Sequence, residues 1–220
     1  MTPPPPCRLS VIFASHAPVA VVLRRGPTHW VQVVRWNTLT DEFEPGQWFH
    51  GKLYPERCAL SPRGELMVYF AYKRGHVDQA SGHRREFTAV SRPPYLTALA
   101  LWPWLGTWGG GGHFTDARTL VLGANHVPVP HPDHVPKRLK VLPNLGALGR
   151  PDSGPASILQ PDRSGHESAE GLDQQDRRIV VDAGILWAID QKSDERQALR
   201  DFNADTPRPM ACPPKAKRWP

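Results

Sequence analysis

Arg57-Cys58-Ala59-Leu60-Ser61-Pro62-Arg63-Gly64-Glu65-Leu66-Met67-Val68-Tyr69-Phe70-Ala71-Tyr72 sets a tight turn between two apolar runs. Ser61 can cap the turn, Pro62 presets φ for its second position, and Gly64 is free to take a positive φ. Two apolar runs joined this way predict a β-hairpin. From Leu66 to Tyr72 almost every side chain is apolar or aromatic, the pattern of a central strand covered on both faces.

Working outward, the same grammar recurs. Val19 to Leu23 and Trp30 to Trp36 are β-rich runs separated by Gly26-Pro27, a second antiparallel pair. The polar break from Asn37 to Gly46 follows, with its turn expected at Glu44-Pro45-Gly46. Phe87 to Ser91 and Arg118 to Leu122 are further strands. Tyr95 to Trp102 is either a short helix or a buried strand, closed by Pro103. Arg178 to Val181 and Ile185 to Ile189 flank Asp182-Ala183-Gly184, another hairpin. Ser193-Asp194-Glu195 has the form of a helix N-cap, giving a short helix to about Phe202.

The 25 prolines and 18 glycines among 220 residues argue against helical bundles and coiled coils. Sixteen of the nineteen aromatic residues lie at or before Phe114, and none falls between Thr115 and Leu186. Large rings mark where a core forms. The chain therefore divides into a flexible N-terminus (1–10), an aromatic-rich β domain (11–123), a Pro/Gly-rich disordered insertion (124–176), a hairpin and short helix that dock back (177–203), and a basic C-terminal tail (204–220). The fold class is mainly β, an antiparallel meander or propeller-like set of blades with one or two short helices. Cys7, Cys58 and Cys212 are distant and odd in number, so reduced thiols are expected instead of a disulfide framework. His16 and Pro18 interrupt the apolar run from Leu9 to Leu23, which argues against an export signal, and no run reaches membrane-spanning length. The location expected is cytoplasmic.

The Ser61-Pro62-Arg63-Gly64 turn and the strand after it resemble the turn-and-strand unit of Tol-type and tryptophan–aspartate β-propeller blades. Phe114 to Leu122 and Asp182 to Trp187 look like degenerate copies. The resemblance implies an interaction platform more often than a catalyst.

Four sets of residues could carry chemistry. Trp102, Trp104 and Trp108 precede Gly109-Gly110-Gly111-Gly112 and His113; exposed, they would bind protein or carbohydrate, and buried, they would be core. No Lys-Ser/Thr follows the glycines, so a phosphate cradle is not expected, and a loop lying close under an aromatic ring is. His126, His131 and His134 with Asp133 offer donors for Zn²⁺ or another divalent metal. Against this, Pro128, Pro130, Pro132 and Pro136 impose an extended path that splays neighbouring side chains. His76 and His83, around Asp78, belong to a polar surface loop. Lys137, Arg138 and Lys140, with Lys215, Lys217 and Arg218, are candidate phosphate contacts, although the net charge of +6 is thinly spread.

Together these observations favour a β-rich module that binds a partner protein, without cofactor or catalysis. A metal-dependent hydrolase using the histidines of 113–134 is the alternative, and nucleic-acid binding through the basic clusters a weaker one.

Overall fold

The computed structural model describes residues 5–26, 28–146, 158–159, 169–190 and 193–220. Its strands in chain order are β1 (Arg8–Phe13), β2 (Val19–Arg25), β3 (Trp30–Asn37), β4 (Glu42–Leu53), β5 (Ala59–Leu60), β6 (Met67–Lys73), β7 (Glu86–Ser91) and β8 (Ala100–Trp104). Then come β9 (Gly112–Phe114), β10 (Thr119–Leu122), β11 (Lys140–Pro143), β12 (Ile158–Leu159), β13 (Ala169–Leu172), β14 (Arg178–Asp182), β15 (Ile185–Ile189) and β16 (Arg196–Asp201). Among the described residues the helical content is confined to short 3₁₀ turns at Pro55–Arg57, Pro132–His134 and Pro214–Lys217.

A nine-stranded antiparallel sheet runs in the order β12-β1-β2-β3-β4-β6-β7-β8, with β5 also paired to β6. Its strands alternate between two buried faces. On β6, Met67, Tyr69 and Ala71 point to one side, and Val68, with Leu66 just before the strand, packs on the other. On β2, Val19, Val21 and Leu23 share the side of Met67, whereas Ala20 and Val22 face away. The sheet curls so that this common side, from Ile12 on β1 to Leu101 on β8, closes into one interior.

Each outer face then needs a cover. Over β1–β3 lies the four-stranded sheet β13-β14-β15-β16, which packs Ile179, Val181, Leu186, Ala188 and Phe202 on Val11, Phe13, Val22 and Trp36. Over β6–β8 lies the three-stranded sheet β11-β10-β9, which sets Leu120 and Leu122 on Val68, Val90 and Trp102. The predicted hairpins are therefore present. Leu60 pairs with Met67 across the Ser61 turn, where Ser61 Oγ accepts the Leu66 N–H at 3.0 Å. Val22 pairs with Val34, and Asp182 with Ile185. Of Tyr95 to Trp102, Ala100 to Trp102 take the strand option as the start of β8, whereas 95–99 are irregular and no helix forms.

Two expectations are overturned. Residues 193–202 hold no helix; Arg196–Asp201 form strand β16, because β15 offers an open edge and takes Gln197 opposite Ala188 and Ala198 opposite Trp187. The Asp190 carboxylate, which accepts the Ser193 N–H at 2.8 Å, closes the turn that the expected cap would have opened. Glu44-Pro45-Gly46 is not a turn either; the reversal falls at Thr38–Asp41, and these three residues lie within β4. There the register slips between Gln32 and Val34, a bulge that accommodates Pro45. A Cβ on Gly46 would collide with the Pro94 backbone.

Of the stretch 124–176 expected to be disordered, residues 124–146, 158–159 and 169–176 are described and supply β11, β12 and β13; the rest of that expectation lies outside the described residues. The N-terminus is in place from Cys7, whose N–H donates to Asn203 Oδ1 at 2.9 Å. The basic tail docks as well, with Trp219 against the Trp102 cluster and Ala216 buried.

Two arginines join the cover sheet to the central one. Arg24, fully buried, donates through Nε to Phe202 O at 3.1 Å and lies over the Trp48 ring. Arg177 forks onto Asp41 at 2.8 and 2.9 Å, donates to Asp173 at 2.8 Å, and reaches Thr38 O at 2.6 Å. Asp41 also accepts the Trp36 indole N–H at 3.1 Å. Arg177→Ala leaves the buried Asp173 carboxylate without its counter-charge and should destabilise the fold by about 3 kcal/mol. Urea unfolding should show a lower midpoint with an unchanged slope.

Candidate functional site

Strand β8 carries two features. At its C-terminal end the chain leaves the sheet into the loop 105–111, and along its outer edge runs the segment that follows β10. Gly123 sits beside Gly110, their backbones hydrogen-bonded at 3.1 Å, and His131 N–H donates to Leu101 O at 2.8 Å. That segment thus travels back along β8 with its histidines.

The three tryptophans divide. Trp102 is fully buried (0%) and belongs to the core. Trp104 is half-buried, its indole N–H held by Thr88 Oγ1 at 2.8 Å. Trp108 is 89% exposed and Leu105 90% exposed, at the tip of the loop. The loop beneath them is anchored. Arg57 donates to Thr107 O at 2.7 Å and Gly109 O at 2.9 Å, with its guanidinium over the Tyr54 and Phe70 rings. Thr88 Oγ1 also accepts the Gly111 N–H at 2.8 Å. The glycines allow this close seating. Gly110 and Gly111 have φ of +93° and +80°, and a Cβ on Gly110 would run into the Phe70 ring. The expected aromatic packing over a glycine backbone is what this loop does.

The metal candidates regroup. His131 and His134 come together with His83, and one ligand atom from each lies within 4.8 Å of the others. The missing signal for this pairing was three-dimensional: His83 lies in the β6–β7 connection, far away in sequence. Prolines do not splay the pair, because Pro132–His134 turns as a 3₁₀ helix, in which residues three apart eclipse. His126 is left out; its Nδ1 bonds Asn125 Oδ1 at 2.9 Å on the exposed surface. Asp133 is 81% exposed, with Oδ2 4.0 Å from His131 Nδ1. His83 and His134 are held below the usual histidine value, first by burial and then by neighbouring imidazoles.

His113 stands apart from the cluster, on β9, opposite Val121. Its Nδ1 is buried without a hydrogen-bond partner, and burial lowers its pKa from 6.5. All three cysteines are buried and free; burial pushes Cys7 up to about 11 and Cys58 up to about 12, so both are thiols at neutral pH. The basic clusters converge through the docked tail. Leu139, Val141 and Trp219 pack on one core cluster, and Arg138 donates to Pro220 O at 3.5 Å. No helix among the described residues is long and apolar enough to cross a membrane.

The sign of the His113 effect is fixed by its direction of shift. The folded state resists protonation, so below pH 6.5 the unfolded chain takes up more protons and stability falls with falling pH. His113→Phe should flatten that part of the stability–pH curve, measured by urea unfolding at a series of pH values. An unchanged slope would show that His113 titrates normally. The chain matches no protein-family model, no curated protein and no solved structure.

Proposed function

We propose that this chain is a β-rich binding module that presents Leu105 and Trp108 to a partner protein. The observation carrying this reading is the near-complete exposure of both side chains on a loop anchored from beneath. A large apolar ring in water is a standing cost that association relieves, and tryptophan is enriched among the residues that dominate interfaces. Anchoring matters as much as exposure. A loop already held by Arg57 and Thr88 loses little conformational entropy on docking, so more of the contact energy appears as affinity. The likeness to blade elements, which implies an interaction platform, points the same way.

Trp108→Ala should leave the unfolding midpoint within about 0.5 kcal/mol of wild type, because the ring touches little of the fold. It should weaken capture of the partner by about 2 kcal/mol, close to thirtyfold. The measurement is affinity capture from a source lysate with wild-type and Trp108→Ala baits side by side. A protein retained by both baits equally would remove the reading. Arg57→Ala should weaken capture less than Trp108→Ala while accelerating amide exchange at residues 105–109, since it frees the loop without removing the ring.

A further inference from the structure

The three clustered histidines have a second layer of partners, which assigns the tautomers of two of them. His131 Nε2 lies 2.8 Å from Ser81 O, a carbonyl that only accepts, so Nε2 carries the proton and the lone pair is on Nδ1. Ser81 Oγ donates its single proton to Asp78 O at 2.9 Å. It must therefore accept from His83 Nδ1, 2.8 Å away, which places the His83 lone pair on Nε2. Ser81 thus fixes two rings at once, one through its carbonyl and one through its hydroxyl. His134 takes a hydrogen bond with the Ala98 backbone. Holding one ring nitrogen with a carbonyl or hydroxyl, so that the other presents its lone pair, is the outer-shell pattern of metal-bound histidine.

The rings are already gathered. His83 and His131 have centroids 4.1 Å apart, and His131 and His134 5.6 Å apart. His131 is 2% exposed, whereas His83 and His134 are half-buried, so one face of the cluster is open to entry. The Nδ1 lone pair of His131 is held only by the Asp133 N–H at 3.2 Å, a long contact that an ion can displace.

We propose that His83, His131 and His134 form a binding site for a transition-metal dication of the Zn²⁺ class, which pins the β6–β7 connection to the segment 123–139. Three imidazole nitrogens suit such an ion, with a fourth position for water or the Asp133 carboxylate. Zn–N bonds of about 2.0–2.1 Å in a tetrahedron place ligand nitrogens about 3.3 Å apart, inside the 4.8 Å within which one ligand atom of each ring already lies, so the side chains draw closer as the ion enters. Both carriers are connections between strands, and that movement leaves the ladders undisturbed. The site is separate from the Trp108 loop, so its failure would leave the binding-module reading standing.

The test is titration of tag-free full-length protein with Zn²⁺ by calorimetry and with Co²⁺ by visible absorption. The proposal expects about one equivalent bound and ligand-field bands of a four-coordinate, nitrogen-rich Co²⁺ site. His83→Ala and His134→Ala should each weaken Zn²⁺ at least about a hundredfold, at or beyond the upper end of what outer-shell changes cost. His126→Ala should bind like wild type. Both ligand substitutions fall in connections outside the sheets, and circular dichroism with thermal melts confirms folding; His83→Gln, which keeps the bulk, replaces any variant that melts early. Absence of saturable Zn²⁺ uptake by the wild type overturns the site, as does equal affinity in folded His83 and His134 variants.

Discussion

A strand buried on both faces cannot lie at the outside of a fold, and this chain has several. β2 is apolar at Val19, Ala20, Val21, Val22 and Leu23 in unbroken succession, and β6 is equally so from Met67 to Ala71. Curling the sheet satisfies one face by bringing its two ends around a shared interior. It leaves two outward faces that no further curling can cover. Each is closed by a separate small sheet, and among the described residues the small sheets make no ladder with the large one or with each other. The side chains that seat them, Phe202 and Ile179 on one side and Leu120 and Leu122 on the other, are all fully buried. The whole architecture follows from that demand for three covers on one continuous ladder.

Much of this was legible in the sequence, for a local reason. Ser61, Gly64 and Asp182-Ala183-Gly184 are turn residues whose chemistry acts within a few positions, and the hairpins they predict are present. The late apolar return at 178–189 also implied a surface waiting for it. What could not be read was decided by partners distant in the chain. Ser193 has the chemistry of a helix cap, but the open edge of β15 outweighs it. Gly46 has the look of a turn residue, yet its missing side chain makes room for the Pro94 backbone. His83 belongs with His131 only because two connections meet beside β8, which no spacing rule encodes.

β8 also ties together the two regions proposed to carry function. Its far end launches the loop that exposes Trp108, and Leu101 in its middle holds the backbone of His131. Thr88 on the neighbouring strand holds both Trp104 and Gly111 through one hydroxyl. Rigid strands thus position groups that themselves lie in irregular backbone, the usual division of labour between scaffold and site.

The pairing of β10 with β11 is parallel, whereas the other ladders among the described residues are antiparallel. A hairpin cannot make such a pair; the chain must leave one end of the sheet and return to the other, which takes about a dozen residues or more. The proline-rich stretch between Leu122 and Lys140 is that return path. It is neither an ornament nor a spacer: cutting it short would pull β11 out of register with β10 and draw Val141 off the Trp102 cluster. A lineage carrying this fold can exchange residues along the path one at a time but cannot excise it. His131 and His134 therefore ride on a length of chain that topology shelters from deletion.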